Sequence, residues 1–369
     1  MERPIFQPIG SPIEHLDTPA LVIDLPTMEN NLEIVHSFFR SSSAKARPHI
    51  EAHKCPTIAH KQLAAGGTVG GICTAKVGEA EVFAQTGFTD ILVANEIVTR
   101  PKIDRLCALA HHVKVTVAVD NPKNIHDLSQ AAQAHGITLN VLVDINTRLN
   151  RCGVDPGHPA VQLAQEVTRS PSLHFAGLML YEGSIREKEY DALVRESKNS
   201  IQPVLDTRQM VEQAGIPVEV VSVGGTHNYE IAGTMDGVTE VQVGSYVLMD
   251  ANYCQYRKQF KPAAKIMATV ISHVTEDLAI ADVGQKAISR DVDFPVVENI
   301  PGITVNRLSA EHAYLQLADE AKRKVDLKDK VWLTPWDLET CVNLYNYINV
   351  ARNGKLEAIW EVAARGRYD

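Results

Sequence analysis

The stretch "KVTVAVDNPKNIHDLSQAAQAHGITLNVLVDI", residues 114–145, sets the fold. Its ends, "KVTVAVD" (114–120) and "LNVLVDI" (139–145), are short apolar runs that read as buried strands, and "NIHDLSQAAQAHG" (124–136) between them reads as a helix. Buried strands separated by helices are the signature of a parallel sheet covered on both faces. The pattern continues outward. "ALVID" (20–24), "GGICTA" (70–75), "ILVAN" (91–95), "FAGLML" (175–180), "VEVVSVG" (218–224) and "EVQVGSYV" (240–247) read as further strands, with a helix over "KVGEAEVFAQTG" (76–87). With "RPHIEAH" (47–53) as a strand there are eight or nine units, which favours an α/β fold with a (β/α)8 TIM barrel of about 250 residues over an open sheet. The barrel is placed at 17–255. Beyond it, "AAKIMATVISHVTEDLAIADVG", "KVWLTPWD" and "NYINVARNGKLEAIWEVAARG" are alternating and β-branched, with "RNGK" as a hairpin turn. A C-terminal antiparallel β domain is therefore expected over 256–369, with residues 1–16 packing on it.

The chain has 369 residues, 45% hydrophobic and 22% charged, which is ordinary for a globular protein. A net charge of −9 argues against nucleic acid or an anionic membrane surface as partner. No run approaches the roughly 18 apolar residues of a membrane-spanning helix. The first residues lack the basic start and apolar core of a secretion signal. The six cysteines (55, 73, 107, 152, 254 and 341) are scattered without a C-x-x-C pair. That usage fits the reduced thiols of a cytoplasmic protein better than a disulfide frame.

In such barrels chemistry collects where strands end. This directs attention to the ends of "RPHIEAHK", "VDINTRLNRCG", "LMLYEGS" and "SVGGTHN". These motifs, with "LDTPALVIDLPTMENN" (16–31), "GICTAKVGEAEV" (71–82), "NRCGVDPG" (150–157), "EVQVGSYVLMDANY" (240–253) and "LSAEHAYL" (308–315), resemble the D-threonine aldolase and D-serine dehydratase-like family nearly end to end. The resemblance implies an alanine-racemase-like barrel followed by a β domain, a homodimer, and pyridoxal phosphate as cofactor.

Three departures from the family pattern fall at the chemistry. The family motif R-P-H-x-K-x-H-K supplies the lysine that binds pyridoxal phosphate as an imine, making it an electron sink. Here the matching residue is Glu51, which forms no imine, while Lys54 and Lys76 match other family positions. On an extended strand His49, Glu51 and His53 share one face, with His53 available as a base. The second departure lies in "TPWDLETCVNL", where the family's metal-binding pair is matched by Asp337 and Glu339. Two residues apart, they leave one face of an extended segment. Together with Glu51 they form an all-oxygen set suited to Mg²⁺ or Mn²⁺. The third is the phosphate loop, where Gly224, Gly225 and Thr226 match the family but His227 stands in place of a glycine. Arg151 and Tyr181 match positions that line the cofactor ring; Arg151 is read as binding the substrate carboxylate.

The expectation is a metal-dependent, pyridoxal-phosphate-independent lyase for aldol cleavage or dehydration of a small β-hydroxy or 2-oxo acid. The alternatives are a protein holding pyridoxal phosphate non-covalently, a relative without turnover, and a metal-dependent hydrolase or isomerase in the same cavity.

Overall fold

The computed structural model describes residues 6–183, 185–290, 292–322 and 324–369. The chain divides into two compact units.

One unit comprises Glu33–Glu51, Ile58–Gly244 and Gly366–Asp369. Its strands, numbered along the chain after β1 (Ala20–Asp24), are β2 (Lys45–Ala46), β3 (Ile72–Thr74), β4 (Asp90–Glu96), β5 (Lys114–Val119), β6 (Leu139–Asp144), β7 (Leu173–Met179), β8 (Val220–Val223) and β9 (Glu240–Val241). They hydrogen-bond in the order β2-β9-β8-β7-β6-β5-β4-β3, every neighbour parallel. Ile50 donates its N–H to Cys73 O at 2.9 Å and Cys73 donates to Pro48 O at 2.8 Å, joining the first strand's extension to the last strand. This is the expected alanine-racemase-like barrel.

The helix expected between β5 and β6 runs Pro122–His135. Asn121 caps it by accepting from Lys123 N, Pro122 presets the first turn, and Gly136 ends it in the left-handed region at φ 65°. Cys73, Leu92, Ala118, Leu142, Ala176 and Met179 form the packed interior of the barrel. Several buried polar groups of this unit are paired. Gln242 accepts from Cys73 Sγ at 3.4 Å and donates to Ser222 Oγ at 2.9 Å. Buried Arg47 donates to Glu240 at 2.7 Å and to Asp90 at 2.8 Å, linking β2's extension to β9 and to the start of β4.

The other unit comprises Met1–Leu32, Ala52–Thr57 and Ser245–Arg365. It contains β10 (Ala264–Thr275), β11 (Leu278–Ala281), β12 (Val296–Val297), β13 (Ile303–Leu308), β14 (Ala313–Leu317), β15 (Lys330–Thr334), β16 (Tyr347–Arg352) and β17 (Lys355–Glu361). The "RNGK" turn joins β16 to β17, with Asn353 and Gly354 both at positive φ, as a type I′ hairpin requires.

One strand differs from its sequence reading. "ALVID", expected in the barrel, is β1 and lies in this unit's nine-stranded sheet, antiparallel to β10 and parallel to β16. Its residues Ala20 and Val22 pack with Leu16, Met267, Ala351 and Leu356. A short apolar run looks the same in either sheet, because burial of both faces is what its composition reports. No helix among the described residues is long and apolar enough to cross a membrane.

Removing Arg47 leaves Glu240 and Asp90 without their cation inside the barrel. R47A is expected to lower stability by about 3–5 kcal/mol, read as a shifted denaturant midpoint.

Candidate functional site

The extension of β2 carries the sequence-predicted carboxylate. Extended backbone runs to Ile50, and residues 51–53 form a turn that ends at Lys54 with φ 51°. His49, Glu51 and His53 therefore do not alternate along one strand face as expected, because the chain leaves the sheet to begin the helix Pro56–Ala64. Glu51 is half-buried, and its N–H donates to His49 Nδ1 at 3.3 Å. Its charge is felt in the barrel interior. The Cys73 thiol is pushed well up, first by burial, with Glu240 and Glu51 adding to the shift. His53 is buried, and its Nδ1 accepts from Cys55 N at 3.1 Å, which spends one ring nitrogen on the turn.

At the carboxyl end of β6 the chain folds back on itself. Asn146 N donates to Val154 O, and Val154 N donates to Asp144 O. Gly153, at φ 94°, passes so close to Ile145 and Asn146 that a side chain there would collide with backbone. This loop brings Arg151 to the Tyr181 ring, with the guanidinium carbon 5.3 Å from the ring centroid. Asp144, Asn146, Leu149, Arg151, Cys152 and Tyr181 line one small cavity.

Asp144 is 5% exposed and hydrogen-bonds Glu96, which ends β4. Burial first, then the Glu96 charge, push the Asp144 carboxyl up to about 8. The raised pair of carboxyls thus favours keeping one proton between Asp144 and Glu96. Burial and Glu96 likewise raise the Cys152 thiol to about 11, so it is no thiolate nucleophile. Neither Glu96 nor Asp144 was singled out from sequence. The signal was present, since each is the charged residue closing an apolar strand, "ILVANE" and "LNVLVD".

The loop after β8 is held by a third unanticipated carboxylate. Glu182 is fully buried; it accepts from Asn228 Nδ2 at 2.5 Å and from Gly224 N at 3.2 Å. Burial pushes its carboxyl up to about 6, while the Asn228 and Gly224 hydrogen bonds pull against that rise. Asn228 Oδ1 in turn accepts from Gly225 N at 3.2 Å. Thr226 and His227 are buried, and the His227 ring meets Tyr181 edge-on with centroids 6.2 Å apart.

Asp337 and Glu339 belong to the other unit and are not on an extended segment. Asp337 caps the short helix Leu338–Val342, accepting from Thr340 N and Thr340 Oγ1, both at 3.2 Å. Glu339 in its first turn accepts from Ser245 Oγ at 2.7 Å. The helix-start pattern D-x-x-T explains the departure from the extended reading. Beside them lies buried Asp250, which accepts from Tyr253 N at 2.7 Å and is pushed up to about 7 by burial, with Asp337 adding to the rise. Among the described residues no group of three or more His, Cys, Asp or Glu is arranged to hold a metal ion.

Comparison with known proteins places this architecture. The alanine racemase N-terminal domain matches residues 23–252, and a putative serine dehydratase domain matches 263–351. A D-threonine aldolase from an Arthrobacter species is 35% identical over 98% of this chain and 96% of its own length. The chain belongs to the alanine racemase-like family that includes D-threonine aldolase. Within this family, the 3-hydroxy-D-aspartate aldolase of Paracoccus denitrificans is 33% identical over 97% of this chain and 94% of that protein. The crystal structure of D-threonine aldolase from Filomicrobium marinum superposes with a TM-score of 0.93 at 35% identity, covering 98% of this chain and 99% of that one.

The resemblance to alanine racemase-like enzymes implies pyridoxal phosphate, and the residues of this chain do not fit its covalent attachment. Glu51, which the sequence resemblance matches to the family's imine-forming lysine, forms no imine, and the N–H groups of Gly224 and Gly225 are already engaged. The implied metal fares no better among the described residues, where Asp337 and Glu339 serve a helix cap and a hydroxyl.

The raised Asp144 carboxyl predicts a pH signature. Its folded value lies above the roughly 3.9 of an unfolded aspartate, so its contribution to stability is complete below that value and is lost as pH rises to about 8. Glu182 and Asp250 act in the same direction, but their losses end near 6 and near 7. Thermal unfolding is therefore expected to show stability still falling between pH 7 and pH 8 in the native chain. In D144N the decline above pH 7 disappears, while the part below it remains.

Proposed function

We propose that the protein is a lyase that breaks a carbon–carbon bond in a small hydroxy acid without forming an imine. The observation that carries this reading is the buried Asp144–Glu96 carboxyl pair beside Arg151 and Tyr181 at the strand ends, raised by burial and mutual charge, in a chain whose position 51 offers a carboxylate. The curated aldolases at 35% and 33% identity support the reaction class.

Without an imine, the electrons of the broken bond need a sink within the substrate. A carbonyl oxygen of the substrate itself can take them, so an acid with a 2-oxo group and a hydroxyl β to it is favoured over an α-amino acid. Arg151 binds the substrate carboxylate by charge-assisted hydrogen bonds. Glu51 takes the hydroxyl proton as the new aldehyde forms. The Asp144–Glu96 pair holds one proton between its carboxyls and turns it toward the enolate oxygen that develops, the role a raised carboxyl pair fills best. Proton return to the enolate carbon completes cleavage.

The test is aldehyde release from a panel of small 4-hydroxy-2-oxo acids and of β-hydroxy α-amino acids, with no cofactor added. Cleavage of the oxo acids by protein treated with hydroxylamine and then freed of it is expected; cleavage of only the amino acids, and only after pyridoxal phosphate is supplied, would overturn the reading. E51Q should lower kcat about 10²–10⁴-fold, the usual worth of a general base. R151M should raise KM about 10–100-fold, matching the loss of a charged hydrogen bond.

A further inference from the structure

The loop over 224–228 has the G-G-T composition of a phosphate cradle, yet its geometry faces inward. A cradle needs backbone N–H groups free to point at the anion and glycine surfaces left open for its approach. Here Gly224 N–H donates to Glu182 Oε2 and Gly225 N–H donates to Asn228 Oδ1. The glycine surfaces are covered as well. A side-chain carbon added at Gly225 would meet His227 Nδ1 at 3.3 Å and Tyr181 Cε2 at 3.5 Å. At Gly224, where φ is 73°, it would meet Val241 Cγ1 at 2.9 Å and Ala232 Cβ at 3.1 Å. These glycines serve the loop's own packing. The helix that follows, Tyr229–Ala232, is a single turn and offers little dipole to an anion.

Electrostatics point the same way. Glu182 lies buried against the N–H that a phosphate would need, so an arriving dianion would compete with a carboxylate for one donor at hydrogen-bonding range.

We infer that this loop is closed to phosphate, and that the ligand of the barrel site is a non-phosphorylated small molecule. Glu182 and Asn228 hold the loop in its closed form, with His227 and Tyr181 filling the space above it. Glu182 is thus a positioning residue that acts through the loop. The inference rests on the reading of the barrel as the reactive site, but it concerns binding alone.

The experiment compares pyridoxine 5′-phosphate with pyridoxine by calorimetric titration of the full chain; neither can form an imine, so only the phosphate is probed. The wild type is expected to show no preference for the ester, and a preference of about tenfold or more, the worth of a charged hydrogen bond or two, would overturn the inference. H227G, with or without E182Q, should gain at least that preference while keeping its native circular dichroism. If the folded H227G and the folded double variant both gain none, His227 and Glu182 are not what closes the loop, and the inference falls. Phosphate binding would sink the closed loop and leave imine-free cleavage standing, whereas absence of lyase activity would do the reverse.

Discussion

Arg47 lies inside the barrel with Glu240 at 2.7 Å on one side and Asp90 at 2.8 Å on the other. Burial alone would disfavour its charge, and the two carboxylates more than offset that cost, holding the guanidinium far above its ordinary value. The consequence is geometric. The regular part of β2 is only Lys45–Ala46, too short to fix its own register, yet Ile50 and Cys73 still pair with their neighbours' backbone. Backbone bonds carry the strand onward, with Arg47 N–H donating to Val241 O at 2.9 Å and His49 N–H to Val243 O at 2.8 Å, and the buried Arg47 pairs add to that hold just ahead of His49 and Glu51. Because all eight strands run parallel, their carboxyl ends share one rim. Glu51 follows the end of β2's extension, as Asp144 ends β6 and the 224–228 loop follows β8.

Two of the acids at these strand ends differ in kind. Asp144 has Glu96 as a negative neighbour, which adds to burial in raising its carboxyl. Glu182 has amide donors as neighbours and gives its proton up near 6. Burial raises both; the identity of the nearest partner separates them. One acid can donate to a developing oxyanion, and the other holds a loop shut by accepting from it. A site built this way favours a substrate that brings its own carbonyl, which is why the imine-free reading and the closed loop are chemically consistent while resting on different residues.

Much of this was legible in the sequence. The alternation of apolar runs with amphipathic segments over 114–145 marks a parallel sheet, and Asn121, Pro122 and Gly136 punctuate the helix it contains. The "RNGK" turn marks its hairpin. What was not legible has specific causes. "ALVID" joined the β domain because period and burial say nothing about which sheet a strand enters. His53 left the face of His49 and Glu51 because a turn, not a strand, precedes Pro56. Asp337 became a helix cap, a role readable from Thr340 three residues on. Glu182 and Asn228 meet only in three dimensions, 46 positions apart, and no local pattern announces them.

The central claim is that this chain works on its substrate without an imine. Borohydride reduction during turnover of a 4-hydroxy-2-oxo acid, followed by intact-protein mass spectrometry, tests it most directly. An imine to any lysine would be trapped as a permanent adduct, whether made by the substrate or by a bound pyridoxal. The account predicts an unmodified chain that remains active after the reductant is removed. A stoichiometric adduct on one lysine, with activity lost in step, would contradict it.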